Sequence, residues 1–348
     1  MVLLAVTTGC SSNPLQTAPK TIEPAQAAES PPVSQTPAGA VRALGGHPQA
    51  AVFDARTHQL AVLSPGPDPT APASIALFSD MQVGDTQVSA AQVAPRVVVL
   101  PGPATALTGD DGGLAYLAGR GGYFVVDLAT AHTARVDVAD AQQTRFTAIA
   151  RRADGKLVLG SSDGAVYTLT SAAEAGTATV GNRNQIFSGV DSLVTQGNTT
   201  VVLDRGQTLL TTIGADGHAE QALRAGEGAT TMAADPLGRV LVADTRGGEL
   251  LVYGCCSPRT PLILRQAYPV REAPFGLAGS RGLSWVSQTA SNTVIGYDLT
   301  TGIPLEKVRY PTVRQPNSLA FDEASDTLYV VSGSGAGVQV IEHAAGPR

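Results

Sequence analysis

From residue 41 onward the chain keeps returning to one pattern of short apolar runs and polar, glycine-bearing turns. The clearest unit is QPNSLAFDEASDTLYVVSGSGAGVQVIEH, residues 315–343. It reads as a strand, a polar turn, a second strand, a Gly-rich turn and a third strand. TTMAADPLGRVLVADTRGGELLVYG (230–254), FGLAGSRGLSWVSQTASNTVIGYDL (275–299) and TAIARRADGKLVLGSSDGAVYTLT (147–170) repeat the form, and weaker copies start near 50, 105 and 191. The apolar residues before each first turn are Val52, Leu107, Ile149, Leu193, Met232, Leu277 and Leu319, spaced by 55, 42, 44, 39, 45 and 42.

A period near 42 with four strands per unit predicts an all-β, seven-bladed β-propeller over residues 41–343. Two insertions in the first unit, SPGPDPTAPA (64–73) and SDMQVGDTQVSAAQVAP (79–95), explain its longer interval. RVVVLPG (96–102), TPLILRQAYPV (260–270) and PLEKVRYPTV (304–313) read as fourth strands. The last unit runs out after its third strand, and AVRALGGHPQAAVF (40–53) has the form of the missing piece. An N-terminal strand on the last blade would close the ring and remove two exposed sheet edges. A pair of β-sandwiches would not give a constant period, and a solenoid would not need its first strand to complete its last repeat.

The first forty residues do not follow this pattern. Residues 1–10 end in VTTGC after an apolar stretch, and Gly9-Cys10 fits the lipobox of bacterial lipoproteins, in which the cysteine receives diacylglycerol. Thr7 stands where that motif usually has Leu. The leader is short and lacks a positive n-region, so an upstream start is expected. Residues 11–40 hold six prolines and almost no large apolar side chain, which predicts a disordered Pro/Ala/Ser-rich tether; residues 344–348 are expected to be a C-terminal tail.

Composition narrows the function classes. An apolar fraction of 43% supports a packed core, and a net charge of −6 argues against nucleic acid as partner. Three cysteines are too few for a disulfide scaffold, and the five histidines show no ligand spacing. No cofactor or metal is expected. GSSDG (160–164) matches G-x-S-x-G, yet strand-like LVL and AVYTLT flank it, so Ser162 is expected in a hairpin turn rather than a nucleophile elbow. GSGAG (333–337), GRGG (119–122) and RGG (246–248) fall between second and third strands, where glycine serves tight turns.

Cys255-Cys256 is a candidate for a disulfide between neighbours, or for bonds to partners. Ligand chemistry is expected where first strands begin, at the channel mouth. Two residues before each anchor stand Ala50, Thr105, Thr147, Asp191, Thr230, Phe275 and Asn317. Asp191, Asn317, Thr147 and Thr230 are the candidate binding residues. No catalytic residue is assigned, because a metal-dependent lactonase would need several convergent carboxylates and amides with a base.

GCSSNPL (9–15), QGNTTVVLDRGQT (196–208), QTASNTVIGYDLTTGIP (288–304) and PNSLAFDEASDTLYVVSGSGAGVQVIEHAAG (316–346) resemble the mycobacterial lipoprotein family LppL, with a broader likeness to YncE/NHL-type propellers. CCSPRT (255–260) looks like a local addition to that pattern. The resemblance implies an extracytoplasmic envelope location, a membrane link through lipidated Cys10, and a protein or glycan partner. The expected function is a binding scaffold; the alternative is a propeller hydrolase of the lactonase or strictosidine-synthase-like class.

Overall fold

The computed structural model describes residues 20–79, 94–256 and 261–346. These contain strands and no α-helix, and no helix long and apolar enough to cross a membrane is found among them. The strands form seven sheets, antiparallel but for one pair, arranged as the blades of a ring. Blade 1 runs from its inner strand Ala50–Asp54 through Gln59–Ser64 and Ser74–Phe78 to the outer strand Arg96–Val99. The inner strands of blades 2 to 7 are Ala104–Gly109, Phe146–Arg151, Ser192–Gln196, Ala229–Ala234, Pro274–Gly279 and Pro316–Asp322. Each contains the anchor expected from the repeat.

Why these segments are strands is clearest in the second strand of each blade, which is buried on both faces and carries its apolar residues at consecutive positions, as in RVLVAD of blade 5. In Arg239–Asp244, Val240 and Val242 point into the layer shared with blade 4, while Leu241 and Ala243 point into the layer shared with blade 6. The same alternation produces seven apolar layers, one between each pair of neighbouring blades. The layer between blades 7 and 1, where Phe53 stacks on Tyr329 at 5.4 Å, closes the circle. Trp285 of blade 6 is fully buried and stacks on Phe321 of blade 7, with ring centroids 5.8 Å apart.

Ring closure follows the expected device. Ala40–Arg42 pairs antiparallel with Val338–Ile341, Ala40 opposite Val340 and Arg42 opposite Val338, and so forms the outer strand of blade 7. Gly39 makes this possible. Its φ of +69° suits glycine, and a Cβ there would lie 2.1 Å from the Val340 carbonyl oxygen. One element has no counterpart in the sequence reading: Gly176–Ala178, in the connection between the third and fourth strands of blade 3, pairs in parallel with Thr133–Val138 and gives blade 2 a fifth strand.

Two boundaries differ from expectation. From Lys20 onward the expected free tether is laid on the ring, with Ala25 and Ser30 buried. The physical reason is that the segment is held through its main chain, as described below, so its poverty in large apolar side chains does not prevent ordering. At the other end, Ala344 and Ala345 are packed in the layer between blades 6 and 7 rather than free as a tail, and the Ala344 amide donates to the Asp326 carbonyl at 2.8 Å. Cys10, with the rest of residues 1–19, lies outside the described residues.

Candidate functional site

First strands begin on one face of the ring, which also carries the turns between second and third strands. We call this the mouth face. The inner strands enclose a channel of about 720 Å³, and all seven positions two residues before the anchors line it. The candidate ring read from the sequence is therefore assembled, but its members do different things.

The threonines are spent on holding blades together. Thr105 Oγ1 donates to the Phe146 carbonyl at 2.9 Å, tying blade 2 to blade 3. Thr147 Oγ1 donates to the Val190 carbonyl at 2.5 Å, tying blade 3 to blade 4. Thr230 shares a 2.6 Å hydroxyl–hydroxyl bond with Thr245, which donates onward to the Pro274 carbonyl of blade 6 at 2.6 Å. Thr147 and Thr230 thus line the channel as staples. A threonine looks the same in sequence whether its hydroxyl meets water or a neighbouring carbonyl.

Asp191 and Asn317 retain free valence. Asp191 is accessible but recessed; its Oδ2 accepts the Arg205 amide at 2.8 Å, and Oδ1 has no partner among the described residues. Loss of hydration in the mouth raises its pKa above the ordinary carboxylate value, partly offset by the Arg205 amide and guanidinium. Asn317 Oδ1 accepts from Gln315 Nε2 at 3.1 Å, while its Nδ2 has no hydrogen-bond partner among the described residues. Blades 4 and 7 thereby present an acceptor and a donor from separate sectors of one mouth. Among the described residues no group of three or more His, Cys, Asp or Glu side chains converges to hold a metal ion.

Sequence reasoning missed the third component, the N-terminal strap. Residues 22–31 cross the mouth face over blades 4 to 7. The Ile22 amide donates to the Gly206 carbonyl at 2.7 Å on blade 4, and Arg246 Nη2 of blade 5 donates to the Glu23 carbonyl at 2.7 Å. Ser30 Oγ donates to the Thr289 carbonyl of blade 6 at 2.5 Å and accepts from the Gln315 amide of blade 7 at 3.0 Å. Arg205 joins strap and channel: its guanidinium donates to the Ala25 carbonyl, and the residue lines the mouth beside Asp191.

The motifs with alternative readings resolve as turns. Ser162 lies in the hairpin between Leu157–Ser161 and Ala165–Leu169. Gly121, Gly248, Gly335 and Gly337 have positive φ in second-to-third-strand turns. Cys255 and Cys256 are joined in a disulfide just after the third strand of blade 5, with Cys255 buried in the layer against blade 4. That pair is remote from the mouth face, at the opposite end of its blade.

No family model matches the chain, and no characterised protein matches it in sequence. Among solved structures it is similar to a streptogramin B lyase, with a TM-score of 0.65 and 9% identity over 88% of this chain and 97% of that one. It is also similar to virginiamycin B lyase from Staphylococcus aureus, with a TM-score of 0.62 and 9% identity over 83% and 92% of the two chains. The WD40 repeats of RRP9 superpose with a TM-score of 0.67 at 15% identity, over 88% and 99%. At these identities the likeness concerns architecture, and the chain is a seven-bladed β-propeller whose mouth face carries a bound N-terminal strap.

Proposed function

We propose that this chain is a cell-envelope lipoprotein, anchored through Cys10, whose propeller is a binding scaffold for a protein, glycan or small ligand at the mouth face. The observation that carries the binding reading is the division of labour in the mouth. The threonines are consumed by blade-to-blade bonds, whereas Asp191 Oδ1 and Asn317 Nδ2 stand unspent at the rim of a channel of about 720 Å³. Recessed polar groups held on rigid strands are what a ligand site needs. Propellers such as the WD40 neighbours supply the architecture for this use, and the LppL-like stretches, including GCSSNPL at residues 9–15, support the envelope location.

Two measurements test the reading. Cells fed an alkyne fatty acid should label the full-length protein, and Cys10→Ala should abolish the label; an unlabelled wild-type protein overturns the lipid anchor. Glycan and peptide arrays probed with the purified protein should return a ligand whose binding weakens at least tenfold in Asp191→Ala or Asn317→Ala. A tightly bound divalent cation, with turnover of lactones lost in Asp191→Ala, would instead establish the hydrolase alternative.

A further inference from the structure

The strap is held chiefly by ring side chains that donate to its main chain. Five side chains of the ring donate to five of its main-chain carbonyls. Arg246 reaches Glu23 at 2.7 Å, Arg205 reaches Ala25, Gln315 Nε2 reaches Ala28 at 2.9 Å, Arg314 Nε reaches Ser30 at 3.1 Å, and Asn292 Nδ2 reaches Pro31 at 2.9 Å. Gln315 also accepts from the Ser30 amide through Oε1 at 3.0 Å, so one side-chain amide reads two main-chain groups. Among the described residues, polar recognition of the strap's side chains is confined to the Ser30 hydroxyl and an ion pair of Glu29 with Arg314 at 3.1 Å in which Glu29 is largely exposed, while the small Ala25 side chain is buried against the ring.

A face that offers donors at intervals, and meets carbonyls, suits a segment rich in proline. Proline removes its own N–H and favours an extended backbone whose carbonyls stay outward. The strap carries Pro24 near its start and Pro31 at its end, with Pro32 directly after it. Each proline in such a segment lowers the ordering entropy of binding, because it restricts the free peptide toward extended backbone. The strap also leaves the face incompletely satisfied. Arg205 Nε is buried without a hydrogen-bond partner among the described residues, at the junction of strap and channel. A buried donor of this kind is costly to leave unpaired.

Resting on the scaffold reading above, we infer that the mouth face is a docking track for an extended, proline-rich peptide segment, read through its main chain, and that residues 22–31 are an intramolecular occupant which such a segment displaces. Arg205 and Arg246 are the donors of the track over blades 4 and 5. A displacing partner gains where it supplies the acceptor that Arg205 Nε lacks.

The probe is a fluorescein-labelled peptide of residues 20–33, KTIEPAQAAESPPV, titrated against full-length protein by anisotropy. In Ala25→Trp/Ser30→Trp the strap cannot reseat, because both positions are buried. This variant should bind the peptide at least tenfold more tightly than wild type, whose own strap competes. Adding Arg205→Ala and Arg246→Ala should remove that gain. Hydrogen exchange on the same samples should show slow exchange of the Ile22 and Ser30 amides in wild type, fast exchange in the tryptophan variant, and unchanged blade strands in both. A second preparation avoids dependence on that variant: a protease site at the exposed residues 33–36 lets the folded chain be nicked and its strap exchanged for labelled peptide.

Fast exchange of residues 22–31 in wild type overturns the docked strap. A released strap with no peptide binding, in either preparation, overturns the track. A glycan bound at Asp191 and Asn317 with the peptide refused overturns this inference and leaves the scaffold reading standing.

Discussion

Arg205 contacts Asp191 through its main chain and Ala25 through its side chain, so one residue of blade 4 links the channel carboxylate to the strap. Its amide donates to Asp191 Oδ2 at 2.8 Å, and its guanidinium donates to the Ala25 carbonyl. The arrangement places a cation where Asp191 gains partial compensation for lost hydration, yet burial dominates and its pKa is raised.

The raised pKa has a defined consequence for stability. Between the ordinary value of 3.8 and the raised one, the folded chain holds a proton that the unfolded chain has lost, so Asp191 makes stability fall as pH rises through that window. Above the window the cost persists in full. Asp191→Asn keeps an acceptor for the Arg205 amide and removes the charge. Its melting temperature should equal or exceed that of wild type at neutral pH, with the difference closing as pH falls to the ordinary carboxylate value. Thermal melts across pH 3 to 8 check this, and a lower melting temperature at neutral pH would contradict it.

Thr147→Val removes the hydroxyl that ties blade 3 to blade 4 while keeping the side-chain shape. The Val190 carbonyl then loses a donor in a partly buried setting. A cost of about 1–2 kcal/mol is expected, and Thr147→Ser should recover most of it. Chemical denaturation with matched m-values provides the comparison.

Gly39→Ala attacks ring closure at one atom. It places a Cβ against the Val340 carbonyl oxygen and forces alanine into left-handed backbone. A loss of roughly 2 kcal/mol or more is expected from strain and clash together. Hydrogen exchange should rise first in Ala40–Arg42 and Val338–Ile341, and the unpaired edge should promote association.

The Cys255–Cys256 disulfide joins neighbours and closes no loop of the chain. Cross-linking stabilises mainly by restricting long loops in the unfolded state. Cys255→Ala/Cys256→Ala should therefore shift the melting temperature by only a few degrees, chiefly through lost packing of Cys255 against Leu262. A shift comparable to that of a long-loop disulfide would assign the pair a larger structural role.

The ring was legible because a propeller writes its architecture into spacing. Val52 and Leu319 sit at equivalent places in blades 1 and 7, and the surplus Ala40–Arg42 strand matches the deficit after Val338–Ile341. The mouth positions were legible for the same reason, since a fixed offset from each anchor is a fixed place in the channel. What spacing does not encode is which groups a hydroxyl faces, so Thr147 and Asp191 looked alike as mouth residues although one is a staple and the other is not. The strap was hidden for a different reason. Its contacts run to the carbonyls of Glu23, Ala25, Ala28, Ser30 and Pro31, and every residue has a carbonyl. Only three arginines, a glutamine and an asparagine far along the chain donate to those carbonyls, at separations near 180 to 290 residues.

The same strap changes how the ring would bear a mechanical load. Tension entering at residue 20 meets Gly206, Arg246, Thr289 and Gln315 in turn before it reaches the three-residue strand Ala40–Arg42. That strand is the clasp of the whole circle, and without the strap a pull would reach it past only the bonds of Ala38 to Pro311 and Gln339. Spread over four blades, the pull is absorbed stepwise by replaceable bonds, and the clasp is the last to feel it.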